Sequence, residues 1–541
     1  MRPSRAGLVL ALLLCACAAQ KPSPKPAAPP SSAGPALQTW ANGAVFYEVF
    51  VRSFQDSNGD GKGDLRGLVS RLDYLNDGDP KTDADLGVDA LWLMPVFGSP
   101  SYHGYDTADY ENINPDYGSN EDFALLIREA HRRGLRVVVD LVLNHTGVTH
   151  PWFTESASSP SSPKRDWYVW SPTDLGWGQP WNASGQAWHQ KNGAYYYGLF
   201  WAGMPDLNFR TPAVREEAKR IAALWLNRGV DGFRLDAARH MIETGPGAGQ
   251  NDTAETHQFW REFAAYVRSV KPEAALIGEA WTETPLIAKY YGSTAAVPGG
   301  DELPLNFDFP LARKIIEGTR KGDAAGIGAK LAELRAEYPP GATDVPFLTN
   351  HDQERVATEL KGDAARLRSA AAVMLTLPGS PFLYYGEEIG LENGPGDGDE
   401  PKRTPMPWTA ADDGHGFTTG KPWYRFSRGP ANVAAQASDP GSLLSRYRTL
   451  IHARHASAAL AHGGLEVLRS DGPLLAFLRT EGDERVLVVH NLGDEAQRAT
   501  FALPLARAEP VFADAGATLE PSAGGAVAQV PPHASAAFRL R

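Results

Sequence analysis

Residues 119–145 read SNEDFALLIREAHRRGLRVVVDLVLNH, and two periods succeed one another in that stretch. Ser119, with Asp122 three residues on, forms a capping box, and the apolar residues behind it share one helical face over 121–133. Over 135–143 the run is dense in valine and leucine, the pattern of a strand in a parallel sheet. Similar strand-like runs recur at 45–54, 88–96, 232–236, 274–280, 305–309, 345–349 and 380–385. Helical patterns lie between them at 65–75, 212–227 and 364–375. Eight strands alternating with helices predict an α/β fold, a (β/α)8 TIM barrel.

The interval from Asp140 to Asp236 is too long for one such unit, which needs roughly thirty residues. The segment 145–207, rich in Trp, Tyr, Pro, Ser and Gly, is therefore expected to form a loop-rich lobe inserted after strand 3 at the barrel mouth. The barrel spans 40–459 in this reading. Beyond it the helical period gives way to short runs at 465–468, 474–478, 486–489 and 499–503, parted by turns such as Glu481-Gly482-Asp483. Residues 460–541 read as a C-terminal antiparallel β-sandwich that covers the last helices, with Phe477, Phe501, Phe512 and Phe538 in its core.

At 541 residues, 43% apolar and 21% charged, the chain is large enough for a barrel with appended modules and too apolar to be disordered. A net charge of −12 gives no basic field for nucleic acid or anionic lipid, so a neutral partner is expected. The two cysteines, Cys15 and Cys17, both precede the fold, which can hold no intrachain disulfide and no cysteine metal site.

Arg2 and Arg5, the apolar run 8–14 and the small residues after it form an export signal too short to span a bilayer. Leu14-Cys15-Ala16-Cys17 resembles a bacterial lipobox, with 1–17 as the signal and Cys17 as the lipidated residue; ordinary cleavage after Ala16 or Ala18 is the competing reading. The Pro-, Ser- and Ala-rich stretch 18–39 is a tether. The expected location is a bacterial membrane reached through the lipid alone, at the cell surface or in the periplasm, or secretion under the alternative; a monomer is expected.

In a barrel of this kind, polar residues past the C-terminal ends of strands face the active-site mouth. Asp140, Asp236, Glu279 and Asp352 stand at such places, with His103, His145 and His351 in similar settings. Arg234 precedes Asp236 by two residues, so both face the barrel interior and the guanidinium can keep Asp236 ionised. Glu279 follows Ile277 and Gly278, where burial would raise its pKa and let it carry a proton. An ionised carboxylate beside a protonated one is the chemistry of a glycosidase.

The motifs GVDALWLMP, YHGYDTADY, DLVLNH, MPDLN, GFRLDAARH, GEAW, LTNHD and GSPFLYYGEE occur in that order. By them, the region from Val45 to about Leu460 resembles glycoside hydrolase family 13, the α-amylase family. The resemblance implies Asp236 as nucleophile, Glu279 as general acid/base and Asp352 as the residue that holds the sugar hydroxyls. It implies retention through a covalent glycosyl-enzyme, with Tyr105 stacked on the cleaved ring and His103, His145, Arg234 and His351 on its hydroxyls. Ala237 after the nucleophile favours α-1,4 cleavage, with Arg239 and His240 on the leaving-group side. MPDLN resembles the intermediate form of the fifth motif. The expected activity is that of an α-amylase on starch and maltooligosaccharides; a 4-α-glucanotransferase or neopullulanase-like enzyme and a non-catalytic glucan-binding surface protein are the alternatives.

Asp56-Ser57-Asn58-Gly59-Asp60-Gly61-Lys62-Gly63-Asp64 places oxygen ligands at every second position, the spacing by which a loop wraps calcium. The side chains of Asp56, Asn58, Asp60 and Asp64 with the Lys62 carbonyl would form this Ca2+ site; a polar Asx-rich turn is the other reading. A second site, on Asn144, Asp206 and the His240 carbonyl, is implied by the resemblance alone.

Overall fold

The computed structural model describes residues 40–410, 413–429 and 431–541. The export signal, Cys17 and the tether lie outside the described residues.

Eight parallel strands form one sheet: β1 (Phe46–Val49), β2 (Ala90–Leu93), β3 (Arg136–Leu141), β4 (Gly232–Leu235), β5 (Ala275–Gly278), β6 (Leu305–Phe307), β7 (Thr343–Val345) and β8 (Phe382–Tyr384). Each pairs with its chain neighbour except where β8 returns to β1, and a parallel bridge between Phe347 and Phe382 closes the circle. The fold is a (β/α)8 barrel. Alternation along each strand separates two apolar layers. Phe46, Trp92, Val138, Ile277, Phe307 and Phe382 fill the interior, with Phe46 and Phe382 stacked at 4.2 Å, while Tyr47, Leu91, Val139 and Phe233 pack against the helices. Inside this crowded barrel, a Cβ at Gly232 would lie 2.3 Å from the Ala275 carbonyl oxygen, so β4 and β5 require glycine there.

The strands are shorter than the apolar runs that mark them, and three of the boundaries have a local cause. The run 45–54 is a strand only to Val49, after which Val51–Phe54 makes a helical turn. In place of the run 345–349 the strand is Thr343–Val345, and it ends there because Pro346 has no N–H to extend the ladder. β6 stops at Phe307 because Asp308 caps the helix Phe309–Lys321, accepting from Leu311 N–H, and Pro310 sits in its first turn. The helical pattern 65–75 breaks at Arg71 into Leu65–Ser70 and Leu72–Leu75. The Ser119/Asp122 capping box opens the helix Asn120–Arg132, and Pro212–Asn227 and Ala364–Thr376 are helical. Four further long helices, Ala254–Val270, Phe309–Lys321, Ala325–Glu337 and Leu443–His455, complete the shell.

Between β3 and β4 the chain builds a small lobe from the helix Pro151–Ser158 and an antiparallel sheet of Trp170–Ser171, Ala194–Tyr197 and Trp188–Lys191. Bridges from His145 to Asp206 and from Tyr168 to Leu207 fasten its base. After the barrel come two antiparallel sheets, of five and three strands, around a core that includes Phe501 and Phe538. Phe477 and Phe512 are also buried but face the barrel side. Arg479, on the five-stranded sheet, and Arg454, on the last barrel helix, are fully buried and donate to carbonyls where the helix Ala364–Thr376 ends. Cationic donors suit the negative end of a helix.

Candidate active site

The third residue of β4, Arg234, points into the barrel and is buried. Its Nη1 donates to both oxygens of Asp140, at 2.9 and 3.0 Å, and to Asp236 Oδ1 at 2.7 Å. Its Nη2 lies 2.9 Å from Glu279 Oε2. The two-residue spacing in an extended strand puts Arg234 and Asp236 on one side, and the ends of β3 and β5 bring the other acids to the same guanidinium. One cation therefore holds three carboxyl groups.

Past Asp236 the chain turns through Ala237 in the left-handed region, at φ 50° and ψ 37°. That turn aims the Ala237 N–H at Glu279 Oε2, 3.0 Å away. Burial pushes the Glu279 carboxyl up to about 7, with Arg234 opposing and the charges of Asp236 and Asp352 adding to the rise. Asp140 is likewise pushed up to about 7 by burial, against Arg234. It supports the site from behind, binding Arg234 and accepting from Tyr105 Oη at 3.0 Å.

His351 and Asp352 follow β7. Burial works to raise the Asp352 carboxyl, but His351, whose Nε2 is 3.1 Å from Oδ2, and Arg403, whose Nη2 donates to Oδ1 at 2.9 Å, hold it well below the usual carboxylate range. Burial works to neutralise His351; Asp352 and Glu48 outweigh it and lift the imidazole to about 9. Asp352 is thus held as an anion.

His103, Tyr105, His145, Asp236, Glu279 and Asp352 border a cavity of about 330 Å³. Arg239 and His240 border an adjoining one of about 750 Å³, and Glu279 and Asp352 belong to the rims of both. The Tyr105 ring stacks on His351 at 5.4 Å and 14°. Arg239 is clamped by both oxygens of Asp252, at 2.9 and 2.6 Å, and His240 Nδ1 sits 3.0 Å from the Gln250 carbonyl. Arg234 and His351 stand behind the cavity wall.

Several residues of the site were not singled out from sequence. Asp399 and Arg403 border the smaller cavity, and Trp181, Phe200 and Trp281 the larger. Trp181 and Trp281 are about half exposed, at 54% and 46%. Glu48 lies behind His351. The motif GEAW contained Trp281 without assigning it a role, and a lone acid inside the apolar run FYEV was a signal for Glu48. Nothing local marks Asp399 or Arg403.

In the loop 56–64, Asp56 accepts from the N–H groups of Asn58, Gly59 and Gly61 and from Thr418 Oγ1. Asn58 and Asp60 each accept from the N–H two residues on. Asp64 caps the next helix through Gly67 N–H and accepts from Ser57. These side chains are all hard oxygen, the ligand type calcium takes, but each turns to backbone N–H groups, and among the described residues no group of three or more His, Cys, Asp or Glu side chains is arranged to hold a metal ion. At the second place, Asn144 Nδ2 donates to the His240 carbonyl at 2.7 Å. Asp206 Oδ1 accepts from Leu199 N–H at 2.9 Å, while its buried Oδ2 has no hydrogen-bond partner among the described residues. Such an orphaned carboxylate oxygen fits a cation ligand.

Residues 48–463 match the family described as alpha amylase, catalytic domain, and 474–523 match the alpha-amylase SusG C-terminal domain. The chain belongs to the alpha-amylase family. Alpha-amylase 3 of Dictyoglomus thermophilum is 43% identical over 84% of this chain and 86% of its own length. A trehalose synthase of Pimelobacter sp. is 36% identical, over 84% and 87%. Among solved structures, an alpha-amylase from H.orenii superposes with a TM-score of 0.82 at 37% identity, over 93% of this chain and all of that one. Proteins similar to this chain are thus named both alpha-amylase and trehalose synthase.

Proposed function

We propose that this chain is a retaining α-glucan hydrolase, an α-amylase of the intermediate MPDLN type, which cleaves α-1,4 bonds of starch and maltooligosaccharides. The observation that carries this reading is the Arg234 guanidinium bound to both Asp236 and Glu279. Two carboxyls on one guanidinium suit the short spacing of retaining glycosidases, about 5 Å, rather than the wider spacing of inverting ones. Glu279 gives its proton to the glycosidic oxygen while the Asp236 carboxylate attacks the anomeric carbon; the C–O bond breaks and the shortened chain leaves. The Glu279 carboxylate then takes a proton from water, whose oxygen displaces Asp236. Asp352, fixed by His351 and Arg403, accepts from the sugar hydroxyls.

Transfer to a sugar is the second reading, favoured by the size and aromatic walls of the larger cavity on the side of Arg239 and His240. Flat rings there suit stacking of an acceptor sugar. Calcium belongs to this proposal as a structural ion, held by Asp56, Asn58, Asp60, Asp64 and the Lys62 carbonyl, with Asn144, Asp206 and the His240 carbonyl as the second set. So does export with lipidation at Cys17, resting on the Leu14–Cys17 sequence. The test is product analysis on amylose, pullulan and maltotetraose with wild type beside Asp236→Asn. Shorter α-1,4 products that vanish in the variant support hydrolysis; products longer than the substrate support transfer; no cleavage by wild type overturns both.

A further inference from the structure

Glu48 is the third residue of β1, in a strand otherwise of Phe, Tyr and Val, and its side chain turns into the barrel 2% exposed. A carboxyl buried there is unfavourable unless something answers its charge. The answering group is His351, whose Nδ1 lies 2.6 Å from Glu48 Oε1. On the other side of the same ring, Nε2 lies 3.1 Å from Asp352 Oδ2 and 2.6 Å from Tyr105 Oη. Glu48 borders neither cavity, so it touches no substrate.

Every group facing the imidazole can be named. Glu48 comes from β1, Tyr105 from the loop after β2, Asp352 from the neighbouring position, and Arg403 donates from its Nε to the His351 carbonyl at 3.0 Å. Trp92 packs edge-on at 5.7 Å, and the Asp140 carboxyl, behind Tyr105, acts on the ring through charge; burial raises the Glu48 carboxyl, and His351 and Arg234 oppose that rise. Two carboxyls thus flank one imidazole.

We propose that Glu48 is a positioning residue that keeps His351 an imidazolium, so that Asp352 faces the sugar as a fixed, fully ionised acceptor. Tyr105 Oη gives its one proton to Asp140 Oδ2, so it accepts from His351 Nε2, while Nδ1 faces Glu48; both ring nitrogens then carry protons, which only imidazolium provides, and its charge pairs with Asp352. The inference rests on the family mechanism above, in which Asp352 binds the sugar. It has a readout independent of turnover.

The test follows the side-chain nitrogen resonances of histidine in the full chain against pH, with His351 assigned from a His351→Asn spectrum. In wild type both ring nitrogens of His351 should carry protons at pH 7. In Glu48→Gln the titration should move down by about one unit or more, and the alkaline limb of kcat/KM, set in wild type by Glu279, should steepen by up to roughly a further tenfold per pH unit. Glu48→Asp, which retains the charge, should recover part of the shift. A neutral His351 in wild type at pH 7 overturns the proposal, and that measurement stands even if the Gln variant fails to fold. So does a folded Glu48→Gln whose His351 titrates as in wild type, or whose activity loss is equal at every pH. If wild type cleaves no glucan while His351 behaves as stated, the proposed activity fails and the role of Glu48 in holding His351 protonated does not.

Discussion

Ala237 donates its backbone N–H to Glu279 Oε2 at 3.0 Å from a left-handed conformation that an alanine adopts at a cost of about 1–2 kcal/mol. The residue beside the nucleophile thereby positions the acid. Ala237→Val adds β-branching to that strained turn and should lower stability by about 1–2 kcal/mol, with a larger fall in kcat than in KM. Ala237→Gly should change stability by less than about 1 kcal/mol. Denaturant unfolding and steady-state kinetics on maltotetraose check both.

Glu279 must be protonated to give up its proton, and burial lifts it to about 7. The alkaline limb of kcat/KM should therefore fall near pH 7. A carboxyl whose folded pKa is raised stabilises the fold below its unfolded pKa, and this contribution is lost as pH rises through the folded value. Glu279→Gln, which never ionises, should accordingly raise Tm at pH 8 relative to wild type by more than at pH 4. Equal changes at both pH values would contradict the assignment.

Trp281 stacks on Phe309 at 4.4 Å and 7° and borders the larger cavity. Trp281→Ala should reduce the share of transfer products and raise KM for long substrates, by the about 1 kcal/mol that an aromatic contact commonly supplies. Chromatography of products from a labelled maltooligosaccharide measures both.

The loop at Asp56–Asp64 gives a separate expectation for calcium. Asp60→Ala should lower the thermal midpoint more in calcium than in chelator, because the exposed Asp60 otherwise only turns the backbone through Lys62 N–H. Equal shifts in the two conditions would remove the ion from that loop.

Arg479 is buried against carbonyls of Gly463, Gly464 and Thr376, with no carboxylate ion pair among the described residues. Arg479→Leu would leave those oxygens unpaired and should lower unfolding free energy by about 2–4 kcal/mol, read in urea.

The barrel was legible in the sequence because its strands are short apolar runs between helical periods, and 135–143 shows why: valines on both faces leave little but a strand in a parallel sheet. Boundaries were less legible wherever apolar sequence continues past the last hydrogen bond, as in 45–54, where Val51 and Phe54 are as buried as the strand they follow. In the site, Asp236, Glu279 and Asp352 stood out because each interrupts or ends an apolar run. Glu48 does the same, yet its role depends on His351, which is distant in sequence. Asp399 and Arg403 sit in a glycine-rich loop with no periodicity, and only the fold brings them to Asp352. Trp181 and Trp281 are ordinary core candidates by composition; their exposure at the mouth is a property of the assembled lobe and barrel.

The central claim is that Asp236 and Glu279 act together as a retaining pair. The most direct measurement is the proton NMR spectrum of the anomeric region in the first seconds of maltotetraose cleavage, before mutarotation. The account predicts that the new reducing end forms as the α-anomer and drifts toward the equilibrium mixture; a product that forms first as the β-anomer would contradict it.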